Sequence, residues 1–137
     1  MNKHIYLRAY MAGTVFPTIF LLVVTVIFCI ARYVYNIPVP IERVIVFPMA
    51  VVPNLWGLWN ILFIATHGRR NLPIGLHGAI LPFLLAPLGY MMTRVLDFPV
   101  PHFVLGYLPI AFAVGVILYY LVWKYLVSFV NGIMSIA

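Results

Sequence analysis

The sequence predicts an all-α integral membrane protein, with four transmembrane helices arranged as two tandem, parallel-related helical hairpins and bent at internal prolines. Three observations lead there. Hydrophobic residues make up 66% of the chain and charged ones 7%, far below the roughly 25% that a soluble domain needs to cover its surface. The apolar residues gather into four long runs. The stretch Ile37–Ala50, IPVPIERVIVFPMA, returns sixty-one positions later as Phe98–Ala111, FPVPHFVLGYLPIA.

The four runs are Met11–Ala31, Val44–Thr66, Ile74–Thr93 and Phe103–Trp123. At 1.5 Å per residue, about 20 residues cross the roughly 30 Å of hydrocarbon. None of the runs alternates apolar with polar residues as a barrel strand does. A backbone in lipid must satisfy its own hydrogen bonds, so helices remain. The first run follows Lys3 and Arg8 as a secretory signal would. It exceeds the roughly 7–15 residues of a signal core and lacks a small-residue exit, so it reads as a retained helix. Residues 1–70 then form the first hairpin, 71–125 the second, and 126–137 a C-terminal interfacial tail.

Prolines mark both hairpins. Pro17, Pro48, Pro53, Pro82, Pro87 and Pro109 fall inside the runs, where each removes a backbone donor and crowds the carbonyl four residues earlier. Aligned from Pro38 and Pro99, fifteen pairs contain five identities, three of them prolines. Gly13 and Pro17 match Gly78 and Pro82 at an offset of sixty-five. Two-span units inserted one after the other share one orientation, so an axis along the membrane normal relates them, as in parallel-repeat transporters.

The net charge is +6, with Glu42 and Asp97 as the two carboxylates. The basic residues flank the apolar runs, where they meet lipid headgroups rather than nucleic acid. Lys3, Arg8, Arg69, Arg70 and Lys124 share one side; Arg32, Arg43 and Arg94 share the other. The larger group is expected inside, which places both termini on the inner face of a cytoplasmic membrane. Lys124, between Trp123 and Tyr125, reads as a snorkelling anchor in an aromatic belt.

Three groups of residues are candidates for chemistry. In the second run, Trp56, Asn60, Phe63 and His67 share one helical stripe, and Asn54 adds a second amide near mid-membrane. Such a stripe either walls a ligand pocket or supplies interhelical hydrogen bonds, each contributing about 0.6–2 kcal/mol; the structural role is the commoner. The loop between the second and third runs holds Arg69 and Arg70 bracketed by His67 and His77. Bidentate arginines suit a lipid phosphate or an acidic partner, and plain topological anchoring is the simpler reading. At the Pro-Val-Pro corners, Arg32 with Glu42 and Arg94 with Asp97 are spaced for local ion pairs.

No metal site is expected, since Cys29 stands alone in an apolar run and no carboxylate accompanies the histidines. Axial ligation of haem or a chlorophyll-type pigment by His67 or His77 is chemically feasible but lacks an attachment motif. No acidic residue lies within a run, against ion-coupled transport, and no hydrolase, zincin, P-loop or dinucleotide motif is present. An enzyme is not expected. The leading expectation is a non-catalytic subunit or scaffold, in a homo-oligomer or larger membrane complex, with small-residue seams at Ala9/Gly13 and Ala111/Gly115. The alternatives are a passive channel or carrier for a small or lipidic solute, and a pigment- or haem-binding subunit.

Overall fold

The structure, a computed structural model, describes residues 3–98 and 100–136; Pro99 of the second corner lies outside them. Helix α1 covers Ile5–Tyr33, α2 Ile41–Val44, α3 Val51–Arg70, α4 Ile74–Val95, α5 His102–Leu121 and α6 Ser128–Ile133. A segment broken at Phe47, Ile45–Ala50, joins α2 to α3, and a π-helical segment, Val122–Val127, joins α5 to α6. The described residues contain no strand. Four helical spans, Ile5–Tyr33, Ile41–His67, Ile74–Val95 and His102–Ile133, are long and apolar enough to cross a membrane. The chain is an integral membrane protein.

The stops between helices follow from residue chemistry. Asn36, Asn71 and Asp97 adopt left-handed backbone with φ of 54°, 46° and 51°. Asn and Asp reach this region more readily than other side-chain-bearing residues. At Asp97 the reversal closes a Schellman turn, with Phe98 N–H donating to the Thr93 carbonyl at 2.9 Å. Pro40, Pro73 and Pro101 each stand immediately before a helix, the last two in extended backbone near φ −60°, ψ 142°. The helices after the two outer corners begin at Ile41 and His102, sixty-one positions apart, and Asn36 and Asp97 share that spacing.

Within the second span the helix is interrupted at Phe47, which takes φ −142°, ψ 126° ahead of Pro48. A residue before proline is pushed out of the α region by its neighbour's ring. Pro109, the matching position in the fourth span, lies inside regular α5 instead.

Small residues decide how the helices pack. At Gly13 a Cβ would lie 2.6 Å from the Trp56 carbonyl oxygen and 2.9 Å from the Gly57 Cα, so α1 and α3 touch backbone to backbone. Gly75 is covered by Tyr120, and Gly78 by the ring of Trp123. A core of Trp56, Leu81, Trp123 and Val127 forms where the second, third and fourth spans meet.

The last helix differs most from expectation. It runs past Trp123 to Ile133, so residues 126–133 continue the fourth span, with Val127 and Asn131 buried. Trp123 is fully buried rather than part of an interfacial belt, while Lys124 is exposed with Nζ 5.6 and 5.3 Å from the Tyr120 and Tyr125 rings. Arg8 caps the new helix end by donating to the Met134 carbonyl at 2.9 Å, a cation at the negative end of a helix.

The outer corners also rearrange. Arg32 and Glu42 pair at 2.7 Å. Arg94 does not reach Asp97; it bonds the Tyr90 hydroxyl and lies over that ring. Arg43, from the other corner, donates to the Asp97 carbonyl at 2.7 Å. The left-handed turn presents that carbonyl to a distant arginine and leaves the local pair unformed. Glu42 is 71% exposed, and an exposed pair contributes little to stability. Glu42→Gln is therefore expected to leave the thermal unfolding midpoint in detergent unchanged; a drop of several degrees would contradict this.

Candidate functional site

The polar residues of the membrane interior collect where α3, α4 and the last helix meet. Trp59 and His77 bind each other reciprocally: the Trp59 indole donates to the His77 carbonyl at 2.8 Å, and His77 Nε2 lies 2.9 Å from the Trp59 carbonyl. A carbonyl only accepts, so Nε2 carries the proton. The two rings stack with centroids 4.8 Å apart, and Phe63 and Trp123 close around the imidazole at 5.2 and 5.9 Å. Trp56 donates to the Tyr119 hydroxyl at 3.2 Å and packs on Trp123 at 5.4 Å.

One turn inward lies a buried amide pair. Asn60 donates to the Asn131 side-chain oxygen at 2.8 Å, and Asn131 returns a bond at 3.1 Å. Asn60 gives its second hydrogen to the Ala9 carbonyl at 2.8 Å. Both asparagines are fully buried. This knot joins the first, second and fourth spans, and it satisfies most of the amide valence without water.

The expected sites divide under this geometry. Trp56, Asn60 and Phe63 form one buried stripe, while His67 at its inner end is exposed, its ring tilted against Phe63 with centroids 4.9 Å apart. The stripe is a helix-packing seam; the two cavities found nearby are walled by Phe63 and His67 but not by Trp56 or Asn60. Asn54 lies off the stripe, exposed, and bonds the Ala50 carbonyl and the Tyr10 hydroxyl. It thus bonds back to its own helix one turn earlier and ties α3 to α1. Arg69 and Arg70 are exposed at the end of α3, and His77, expected in the loop beside them, is buried inside α4.

His77 Nε2 is committed to the Trp59 carbonyl, so ligating an axial iron or magnesium through that nitrogen requires breaking this bond. Among the described residues no group of three His, Cys, Asp or Glu is placed to hold a metal ion.

Sequence reasoning missed Asn131, Tyr119 and the core role of Trp123. Their signal was present: Tyr119, Trp123, Val127 and Asn131 recur every fourth residue. An α-helix overshoots a fourth residue by about 40°, but the wider π turn at Val122–Val127 offsets that drift. Reading Lys124 as the helix end cut the pattern short.

The chain matches no family model, no curated protein and no solved structure.

Proposed function

We propose that the protein is a non-catalytic membrane subunit, docking with a second copy or a larger assembly through the outer half of its fourth span. The observation that carries this reading is the open small-residue face of that helix. No residue of α5 is buried. A Cβ on Gly115 would meet nothing within 4 Å, and Ala111, one turn earlier, is exposed. In lipid, helices associate where small residues let backbones approach, since apolar burial offers no driving force there. The comparable seam at Ala9 and Gly13 is already closed by α3.

The competing reading, a passive channel, needs polar groups along a path. Here Asn60, Asn131, His77 and Trp56 spend their hydrogen bonds on holding helices together. A catalytic role finds no set of reactive groups to rest on.

In this proposal the chain is two tandem hairpins of like orientation, with the second span bent at Pro48. Support comes from the shared sixty-one-residue spacing of the left-handed Asn36 and Asp97 and of the helix starts Ile41 and His102. Gly13 and Gly78 each mark a close approach to the neighbouring helix. Both termini face the inside of a cytoplasmic membrane, as the excess of Lys and Arg on that side favours.

Native mass spectrometry from mild detergent tests the reading. Wild type is expected as an oligomer or with a co-purifying partner. Gly115→Leu is expected to abolish that association without lowering the unfolding midpoint, because a Cβ there meets nothing within 4 Å and leucine is the better helix former. A wild-type protein released as a lone monomer overturns the proposal.

A further inference from the structure

The inner end of the molecule carries a cavity that the subunit reading does not use. Trp59 stands eleven residues before the end of α3, whereas its partner His77 stands three residues inside α4. With the two helices side by side and opposed, α3 overhangs the start of α4 by about 12 Å. Beneath the overhang lies a cavity of about 330 Å³.

Its lining changes character along α3. Trp59, Leu62 and Phe63 come first, with Ile80 and His77 from α4. Thr66, His67 and Arg70 follow toward the helix end, with Leu72 of the connector. Leu62 and Ile80 are 42% and 43% exposed, so the cavity opens sideways, toward the acyl chains, rather than only toward water. The end at Arg70 is cationic without compensation. Both carboxylates of the chain, Glu42 and Asp97, lie at the opposite ends of the second and third spans, and the ion pair found among the described residues is there as well.

We propose that this notch binds one anionic phospholipid, its phosphate held by Arg70 beside His67 and Thr66, and an acyl chain lying between Leu62 and Ile80. The guanidinium supplies paired, charge-assisted donors that fit phosphate oxygens. A lipid, rather than a soluble anion, fits the lateral opening and the apolar sides. Arg69, one residue away, does not line the cavity, which separates a built site from general attraction to a negative surface.

Tryptophan quenching tests this directly. The protein is reconstituted in phosphatidylcholine vesicles with a few per cent of brominated phosphatidylglycerol or brominated phosphatidylcholine. Trp59 lines the cavity, while Trp56 and Trp123 are buried in the core. The anionic lipid is expected to quench with about five-fold higher apparent affinity, and Trp59→Phe should remove that component. Arg70→Gln should bring the preference to about one, and Arg69→Gln should retain most of it. Equal quenching by the two lipids overturns the proposal, as does equal loss in the two arginine variants. Relief of quenching by millimolar inorganic phosphate would assign the notch to a soluble anion and overturn the lipid assignment.

Discussion

Replacing Gly78 by Ala is expected to destabilise the protein by about 3 kcal/mol, the upper end of the overpacking range. A methyl group at Gly78 would fall inside the van der Waals envelope of the Trp123 side chain, at its Cβ, Cγ and Cδ1 atoms. Overpacking is mild when the obstacle is the far end of a flexible side chain. Here it is the root of a fully buried indole, held by Trp56 on one side and His77 on the other. Trp123 cannot swing away without opening both contacts, so α4 and the last helix must separate instead. Reversible unfolding in mixed micelles, followed by circular dichroism, measures the effect. Combining Gly78→Ala with Trp123→Leu should cost less than the two single changes added together, since the second change removes the clash. A Gly78→Ala protein within about 0.5 kcal/mol of wild type would mean that the indole relocates freely.

The second large effect concerns the amide knot. Asn60→Leu leaves the buried Asn131 amide without its partner and removes the tie to the Ala9 carbonyl. Stranding buried polar groups costs about 1–3 kcal/mol. Hydrogen bonds between membrane helices average less, about 0.6 kcal/mol, because the separated helices also find partners. The full burial of both amides and the three bonds involved argue for the larger scale, so about 2 kcal/mol is expected. Asn131→Leu should cost a similar amount. The double variant replaces both amides by apolar groups of similar volume and strands fewer polar atoms. It should therefore resemble either single variant rather than their sum, a coupling of about 1–2 kcal/mol in the double-mutant cycle. Strict additivity would show that the two side chains do not depend on each other.

Class and span count were legible because hydropathy acts over twenty residues at a time and is insensitive to any one contact. The start after Pro73 was legible, at Ile74, and His102 begins one residue before the expected Phe103, whereas the second span begins at Ile41, three residues before the expected Val44. The inner end was not legible. Lys124 resembles a membrane boundary in sequence, yet its exposed ammonium between two tyrosines is compatible with a helix that continues inward. Once that helix was stopped at Trp123, Asn131 had no reason to meet Asn60, seventy-one positions earlier. Trp56, Asn60 and Phe63 were recognised as one face because regular α-helix preserves their phase. What that face packs against depends on Trp123 and Gly78, and a pairing of that kind leaves no periodic trace. Arg94 and Asp97 illustrate the reverse failure. Three-residue spacing suggested a pair, and a left-handed turn at Asp97 redirected both partners.

The π turn at Val122–Val127 works as a gearbox in the middle of the longest span. A regular helix rotates every residue in lockstep, so whatever azimuth suits one end is imposed on the other. By inserting in effect one extra position, the wide turn uncouples the two ends. The outer half buries none of its residues fully, touching its own chain through Phe112, Tyr119 and Tyr120, and the inner half turns Trp123, Val127 and Asn131 into the core. One continuous helix thereby presents differently oriented faces on either side of the turn.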